Sequence, residues 1–239
     1  MALLAPSNEW RLIMSRVLII GDTHCPAMHP EYVDFLTDTY EAWDCDRVVH
    51  IGDLVDWASI SYHPKAPSLK NSEAEFEQAY EQVQELYAAF PKVDWMIGNH
   101  DSLTERQATD LGLPLQVLKS YEDLWGLKGW TAHPRYSNIV IDGVMYQHGD
   151  RGKGGAFPAM ANAKVEFMSV VQGHFHAAAG VQYIANQNDL VFGLQVGSGV
   201  DHHKEAMDYG KKYSQKPLLG CGVVVDGHTA VYEPMLLGG

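Results

Sequence analysis

Five short polar segments, each placed where an apolar run of the chain ends, constrain the fold more than any other feature. The apolar runs at residues 17–20, 48–51 and 93–97 are rich in β-branched residues, which is typical of strands buried inside a sheet. Each of these runs ends in a glycine followed by polar residues. The pattern therefore predicts buried strands that carry polar side chains at their carboxyl ends.

Apolar residues at helical spacing follow the first two predicted strands. They occur in residues 30–43 and again in residues 72–90. Ser72 and Glu75 have the spacing of a capping box, which predicts that the second helix begins there. Strands that alternate with helices in this way predict a parallel or mixed sheet covered by helices, as in layered α/β folds.

Hairpin patterns dominate the second half of the chain. Asp142-Gly143 and Asp226-Gly227 each separate two short apolar runs, and this dipeptide favours a tight two-residue turn. A further pair of apolar runs flanks the polar residues 186–189, and residues 169–171 form another apolar run. We therefore predict an α/β first half and a mostly β second half.

The composition fits one domain with a substantial core. Of the 239 residues, 46% are hydrophobic and 20% are charged. We expect residues 17–239 to form this domain, with residues 1–16 as an extension or as the first residues before the core. The formal net charge is -13, and an acidic surface disfavours nucleic-acid binding through basic patches. Nucleic acid therefore enters only as a candidate substrate.

Cysteine usage and hydropathy bear on the compartment. Cys25, Cys45 and Cys221 have no CxxC spacing, and an odd, sparse set of cysteines suits a reducing environment. The first thirteen residues lack the pattern of a secretory signal, and no stretch approaches the length of a membrane span. We expect a cytoplasmic protein with no membrane partner. A homo-oligomer is an open alternative.

The polar segments have the composition of a metal site. They contain carboxylates, imidazoles and one amide, within residues 21–24, 52–56, 98–101, 148–150 and 173–176. Strand ends of a layered α/β fold converge on one edge, so loops from different strands bring these groups together. Mixed nitrogen and oxygen ligands suit Mn, Fe, Zn or Ni, and they outnumber the needs of one tetrahedral ion. The sequence therefore predicts two ions, an arrangement that serves in-line displacement at phosphorus.

Each segment alone has an ordinary structural explanation, since polar residues after a strand commonly form a turn. The complete order, GD-x-H, GD-xx-D, GNH-[DE], HG and GH-x-H, resembles the pattern of the calcineurin-like metallophosphoesterase family. The matching segments extend from Gly21 to His176, roughly two thirds of the chain. The resemblance implies a two-sheet mixed β-sandwich flanked by helices, with the metal site at the carboxyl-terminal edge of the strands.

The resemblance also implies a role for each polar residue. The first metal would be held by Asp22, His24 and His176, and the second by Asn99, His148 and His174. Asp53 would bridge both ions. His100 would stand beside the metals as proton donor or phosphoryl contact, with Asp101 holding its ring.

These roles imply a phosphoester hydrolase, with manganese as the favoured metal. A carboxylate suits the bridging position because it offers two anionic oxygens. Paired cations lower the pKa of a shared water, so a hydroxide that bridges them attacks phosphorus in line. The leaving alkoxide needs a proton, and a histidine beside an aspartate is the usual donor.

Trp57 bears on the substrate. It follows GD-xx-D where the protein-phosphatase branch of the family has arginine, and an uncharged indole favours contact with an organic group. We therefore predict a preference for phosphodiesters over phosphomonoesters. Asp56 is expected to hydrogen-bond to metal ligands. The candidate substrate contacts are Trp57, His63, Arg151 and Lys153.

Two other functions stay open. A phosphomonoesterase or protein Ser/Thr phosphatase would use the same metals, with Arg151 and Lys153 supplying cations to a doubly charged phosphate. A metal-binding scaffold would keep the fold without catalysis, although no predicted ligand is missing from the chain. A metallo-β-lactamase-type hydrolase is excluded because its His-x-His-x-Asp-His segment is absent.

Overall fold

The computed structural model describes residues 15–63, 65, 67–152, 154–201, 203–204 and 216–237. Nearly all of the expected amino-terminal extension, residues 1–14, lies outside the described residues, and so does the candidate substrate contact Lys153. Among the described helices, none is long and apolar enough to cross a membrane.

The described residues form eleven strands and five α-helices. The strands are β1 (Arg16–Ile20), β2 (Arg47–His50), β3 (Asp94–Met96), β4 (Thr131–His133), β5 (Ile139–Ile141), β6 (Val144–Gln147), β7 (Ser169–Gln172), β8 (Ala179–Ala185), β9 (Leu190–Val196), β10 (Gly220–Val225) and β11 (Thr229–Pro234). The helices are α1 (Tyr32–Ala42), α2 (Ser72–Ala89), α3 (Leu103–Asp110), α4 (Tyr121–Trp125) and α5 (Pro158–Glu166). Short 3-10 helices occupy Ala58–Ile60, Pro67–Lys70 and Leu115–Val117.

Two mixed sheets pack face to face. The first has the strand order β11-β10-β1-β2-β3-β4, and the second has the order β5-β6-β7-β9-β8. Strands β1 to β4 are parallel, whereas β10 pairs antiparallel with β1, and β11 pairs antiparallel with β10 at the edge of the sheet. The expectation of a two-sheet mixed sandwich flanked by helices is confirmed.

Strand β1 illustrates why its sequence is apolar throughout. Val17 and Ile19 point into the core between the two sheets, whereas Leu18 and Ile20 point into the core between the first sheet and its helices. Successive side chains of a strand face opposite sides, so a strand covered on both faces needs an unbroken apolar run. The predicted buried strand is therefore present, at the centre of its sheet.

The predicted capping box of α2 is wrong, although the helix begins where expected. Asn71 is the cap, and its side chain accepts a hydrogen bond of 3.2 Å from the backbone nitrogen of Ala74. The carboxylate of Glu75 instead accepts hydrogen bonds from the backbone nitrogens of Ala58 at 2.6 Å and Ser59 at 2.9 Å. Because Asn71 satisfies the helix end, Glu75 is available to hold the loop that follows the second polar segment.

Candidate metal centre

The five polar segments lie at the carboxyl ends of strands that are neighbours in the sandwich. The first three follow β1, β2 and β3, which are adjacent in the first sheet. The last two follow β6 and β7, which are adjacent in the second sheet. Because the two sheets pack face to face, the segments meet at one edge of the fold.

Four side chains from both sheets form a first cluster. They are Asp22, His24, Asp53 and His176, whose ligand atoms all lie within 4.8 Å of one another. Nε2 of His176 lies 3.0 Å from Oδ2 of Asp22 and 3.1 Å from Nε2 of His24. Oδ1 of Asp22 is buried and has no hydrogen-bond partner among the described residues. A buried carboxylate oxygen without a partner fits a cation among these donors.

A second cluster shares Asp53 with the first. Asp53, His148 and His174 have their ligand atoms within 4.8 Å of one another. Nε2 of His148 lies 3.3 Å from Oδ2 of Asp53 and 3.1 Å from Oδ1 of Asn99. Nitrogen and oxygen donors of this kind fit a divalent transition metal. The structure thus brings together all seven of the expected ligands, as two clusters that could hold two ions.

Hydrogen bonds to the ring nitrogens that face away from the clusters orient the candidate histidine ligands. Nδ1 of His24 lies 2.8 Å from Oδ1 of Asp56, and Nδ1 of His148 lies 3.1 Å from the carbonyl oxygen of Ile51. Each of these partners occupies one ring nitrogen, which leaves Nε2 to face the cluster. Oδ1 of Asp53 accepts a hydrogen bond of 2.7 Å from the backbone nitrogen of His100, so its Oδ2 is the oxygen that both clusters share.

The backbone at three ligands is left-handed, with φ of 46° at His24, 49° at Asp53 and 68° at His174. Side chains other than glycine adopt this region at a cost, and it recurs at functional sites. Glycine is required beside two carboxylates: a Cβ at Gly98 would overlap the carboxylate of Asp53, and one at Gly173 would overlap that of Asp22. The glycines in the polar segments therefore allow neighbouring loops to approach the ligands.

Burial and charge in the cluster favour an ionised Asp53 and a neutral His24, but a protonated His148. Burial raises the pKa of the Asp53 carboxyl, but the charges of His148 and His100 outweigh burial and hold that pKa well below its ordinary value. Burial, together with the charge of His100, lowers the pKa of His24. Burial lowers the pKa of His148, but the charge of Asp53 outweighs burial and raises that pKa to about 10. Because an ionised carboxylate and a neutral imidazole are the forms that bind metal, an ion bound by His148 would displace its proton.

The ring of His100 is held by Asp56, so the expectation that Asp101 holds it is wrong. Nδ1 of His100 lies 2.7 Å from the carbonyl oxygen of Asp56 and 3.1 Å from its Oδ1. The buried carboxylate of Asp101 accepts hydrogen bonds from the backbone nitrogens of Gly98 at 2.9 Å and Val55 at 3.2 Å. Asp101 thus ties two ligand loops together, because the turn after Asn99 directs its side chain inward.

The expected substrate contact through Trp57 is also wrong. The Trp57 side chain is only 8% exposed, and its ring packs against Phe76 and Trp125 at centroid distances of 6.1 and 5.6 Å. Its left-handed backbone, with φ of 52°, turns the ring into the helical core. His63 and Arg151 are exposed. Neither lines the cavity over the first and second side-chain clusters, which we call the metal clusters.

That cavity has a volume of about 440 Å³, and part of its lining was not foreseen from the sequence. The residues that line it besides metal ligands and His100 are Gly155, Ala156, Phe175, Ala177 and Ala178. Small residues in loops carry no pattern that marks them as part of a site. The position of Phe175 between two ligand histidines was the only available signal.

Arg135 is a second feature that sequence reasoning missed. Its guanidinium binds the Asp150 carboxylate, with Nη2 at 2.7 Å and Nε at 2.8 Å from Oδ2. Nη1 also donates to Oγ of Ser102 at 3.2 Å, and that hydroxyl donates to the carbonyl oxygen of Asn99. Arg135 therefore connects the loop that carries His148 with the loop that carries Asn99.

The sequence matches one family profile, and the chain is similar to several solved structures. A sequence profile described as calcineurin-like phosphoesterase matches residues 15–229. A search of curated proteins finds no significant match to the chain. Among solved structures, the chain is similar to YfcE, a phosphoesterase from E. coli, with 12% identity, 88% of each chain covered and a TM-score of 0.39.

Two further solved structures come from the vacuolar protein sorting 29 group. The protein from Cryptosporidium parvum has 15% identity and a TM-score of 0.43, and the one from Chaetomium thermophilum has 11% identity and a TM-score of 0.44. Each comparison covers 92% of this chain and 97% of the other. Because the profile spans most of the chain, including every segment that carries a candidate metal ligand, the chain belongs to the calcineurin-like phosphoesterase family.

Proposed function

We propose that the protein is a metal-dependent phosphoester hydrolase that prefers phosphodiesters. The observation that carries the proposal is the shared carboxylate: Oδ2 of Asp53 lies 3.6 Å from Nε2 of His24 and 3.3 Å from Nε2 of His148. One anion placed between two ligand sets is the arrangement of a two-ion centre. Two divalent ions, with manganese favoured over iron, zinc or nickel, would supply Lewis-acid charge and promote ionisation of the attacking water.

The proposed ligands are those expected from the sequence. Asp22, His24 and His176 would hold the first ion, Asn99, His148 and His174 the second, and Asp53 both. Partners outside the two ligand sets already orient three of these side chains: Asp56 contacts His24, the carbonyl oxygen of Ile51 contacts His148, and the backbone nitrogen of His100 donates to Asp53.

His100 is the proposed proton donor to the leaving oxygen. Its ring lines the cavity, and its side chain is 19% exposed, whereas His24 beside it is fully buried. Because Nδ1 is engaged by Asp56, Nε2 is the atom that would carry the proton to the leaving group. Asp56 is the positioning residue in this scheme, and Asp101 has no direct role.

The preference for diesters rests on the charge of the cavity lining. No lysine or arginine is among the described residues that line it, and the guanidinium of Arg135 is paired with Asp150. A phosphomonoester carries about two negative charges at neutral pH and is usually bound by arginines. A diester carries one charge and a second organic group, so it needs fewer cations. The proposed preference therefore depends on the cavity lining and not on Trp57, whose ring is buried.

The test is metal binding combined with turnover. The metal-free protein is titrated with Mn²⁺, and kcat/KM is measured for bis-(4-nitrophenyl) phosphate and 4-nitrophenyl phosphate. We expect two ions per chain and a clear preference for the diester. Asp53→Asn should weaken both sites, whereas Asp94→Asn, on the opposite edge of the sheet, should weaken neither.

Each alternative function has its own outcome in this experiment. A preference for the monoester would support the phosphatase alternative. Full binding of two ions without turnover of either compound would support the metal-binding scaffold. A fully active enzyme with one ion per chain would contradict the shared role of Asp53.

A further inference from the structure

A groove beside the metal cavity has no role in the function proposed above. It lies between the amino-terminal end of α5 and the first residues of β8, and its volume is about 260 Å³. Ala156, Ala177 and Ala178 line both this groove and the cavity over the metal clusters, so the two spaces adjoin. We refer to it as the α5–β8 groove.

The α5–β8 groove is uncharged. No acidic residue, basic residue or histidine is among the described residues that line it. Its buried floor contains Ala159 and Met160, which are 2% and 4% exposed, and the ring of Phe157, 60% exposed, stands at its rim. The amide of Gln195 is already engaged, since it donates to the carbonyl oxygen of Gly173 and accepts from Gln172. Such a surface favours an apolar occupant.

The groove is fixed to the metal centre by backbone contacts. The backbone nitrogen of Leu218, which lines the groove, donates a hydrogen bond of 2.8 Å to the carbonyl oxygen of His176. On the floor, α5 approaches β9 so closely that a Cβ at Gly193 would overlap the backbone of Met160. These contacts fix the position of the groove relative to the loop that carries His176, as a substrate subsite requires.

We infer that the α5–β8 groove is a subsite for the uncharged, largely apolar organic group of a phosphoester whose phosphate lies at the metal clusters. The inference rests on the proposed function and specifies its substrate class. An apolar cavity of about 150 Å³ holds benzene. The 260 Å³ of the groove therefore accommodates a group of one or two rings. The charged phosphate and the apolar group would then occupy separate, adjoining spaces.

The first test compares two diesters with the same leaving group. Phenyl 4-nitrophenyl phosphate carries a ring for the groove, and methyl 4-nitrophenyl phosphate does not. We expect kcat/KM of the wild type to favour the phenyl diester by about tenfold or more, since the ring buries apolar surface. Similar values for the two diesters would overturn the inference.

Two variants locate the effect. Ala179→Phe fills a position that lines the groove but not the metal cavity, and Gln182→Glu adds a charge to the groove with little change of shape. Both should lose most of the phenyl preference and keep the rate on the methyl diester. Ala185→Phe, an exposed position on the same strand β8 outside the groove, is the matched control and should keep the preference. Retention of the preference in both groove variants would overturn the inference.

A binding measurement separates this inference from the proposed function. Phenylphosphonate and methylphosphonate, which cannot be hydrolysed, are titrated into the Mn²⁺-loaded protein by calorimetry. We expect tighter binding of phenylphosphonate to the wild type and equal binding of the two to Ala179→Phe. If the wild type turns over no diester, the proposed function fails, and this titration decides the subsite alone. Equal affinity of the wild type for both phosphonates would overturn it.

Discussion

Nδ1 of His24 lies 2.8 Å from Oδ1 of Asp56, and both side chains are almost completely buried. The contact fixes the imidazole so that its Nε2 faces the first metal cluster. The same carboxylate oxygen lies 3.1 Å from Nδ1 of His100. One buried carboxylate therefore orients both a proposed metal ligand and the proposed proton donor.

Asp56→Asn should lower the affinity of the first metal site by about 10- to 100-fold, as loss of such a partner typically does. An asparagine retains an oxygen for His24 but removes the charge that makes the imidazole a stronger ligand. Competition with a calibrated chelator measures each affinity. Asp94→Asn is the matched control, because Asp94 also contacts a histidine, at 2.9 Å, but lies away from the metal centre. Equal affinities for Asp56→Asn and the wild type would contradict the role of Asp56.

His100→Ala should keep both metals and lose rate in a way that depends on the leaving group. General-acid catalysis contributes about 10²–10⁴-fold, so the loss should reach this range for a diester with an alkoxide leaving group. It should be small for a nitrophenolate, which leaves without a proton. His63→Ala, an exposed histidine that does not line the cavity, is the control. Equal losses for both leaving groups would assign His100 to the phosphoryl oxygens, and loss of metal would make it a ligand.

Arg135→Met should destabilise the metal-free protein by about 2 kcal/mol, because hydrogen bonds to charged groups are worth about 1.5–3 kcal/mol. The pair with Asp150 is mostly buried, with side-chain exposures of 19% and 6%. The matched control is Arg47→Met, since Arg47 binds Asp94 in a similar way but is 42% exposed. Exposed pairs contribute about 1 kcal/mol or less. Urea unfolding measures the loss of unfolding free energy in each variant. Equal losses would show that the buried Arg135–Asp150 pair stabilises the protein no more than the exposed pair.

The buried environment of His50 predicts that the folded protein loses stability in weak acid. Its Nδ1 accepts from the backbone nitrogen of Gly52, and its Nε2 donates to Oγ1 of Thr23, which itself donates to the carbonyl oxygen of Leu54. These partners suit the neutral ring. Burial is the main cause that lowers the pKa of His50 to about 3 in the folded protein.

The direction of the pH effect follows from this depressed pKa. Between the unfolded pKa of about 6.5 and the folded value, the unfolded chain binds the extra proton, so stability falls as the pH falls. From pH 7.5 to pH 5.5 this histidine alone should cost about 1.4 kcal/mol. Urea unfolding of metal-free wild type and His50→Gln at both pH values measures the difference. An identical pH dependence for the two proteins would contradict the prediction.

Much of the fold could be predicted because the information is local. The apolar run that became β1 is continuous, since both faces of that strand are buried, and the Asp142-Gly143 turn lies where its dipeptide predicts. Strand β4 has three residues, Thr131–His133, of which none is fully buried. So short an edge strand has too few alternating positions to produce a pattern, which is why it escaped prediction.

The proximity of the candidate ligands could be predicted, but the hydrogen-bond partners of these residues could not. The candidate ligands directly follow strands, so the order of strands along the chain predicts that they meet at one edge. Which carboxylate orients His100 depends instead on how the loop at Asp56 packs against the loop at Asp101, and sequence spacing favoured the wrong one. The prediction that Trp57 contacts substrate was wrong for a related reason. A left-handed turn and tertiary packing determine where its ring points.

The candidate ligands of each cluster come from both sheets. An ion bound by them would therefore hold the two sheets together and stabilise the folded protein. His176, which follows β7, completes a cluster whose other members follow β1 and β2, and the second cluster likewise combines Asp53 with His148 and His174. An ion bound only by the folded protein adds about 2.7 kcal/mol of stability at a free concentration one hundred times its dissociation constant. If the clusters bind metal as proposed, the resistance of the protein to heat and proteolysis would depend in part on the free metal concentration around it. Removal of metal would then shorten the lifetime of the folded chain as well as abolish the proposed activity.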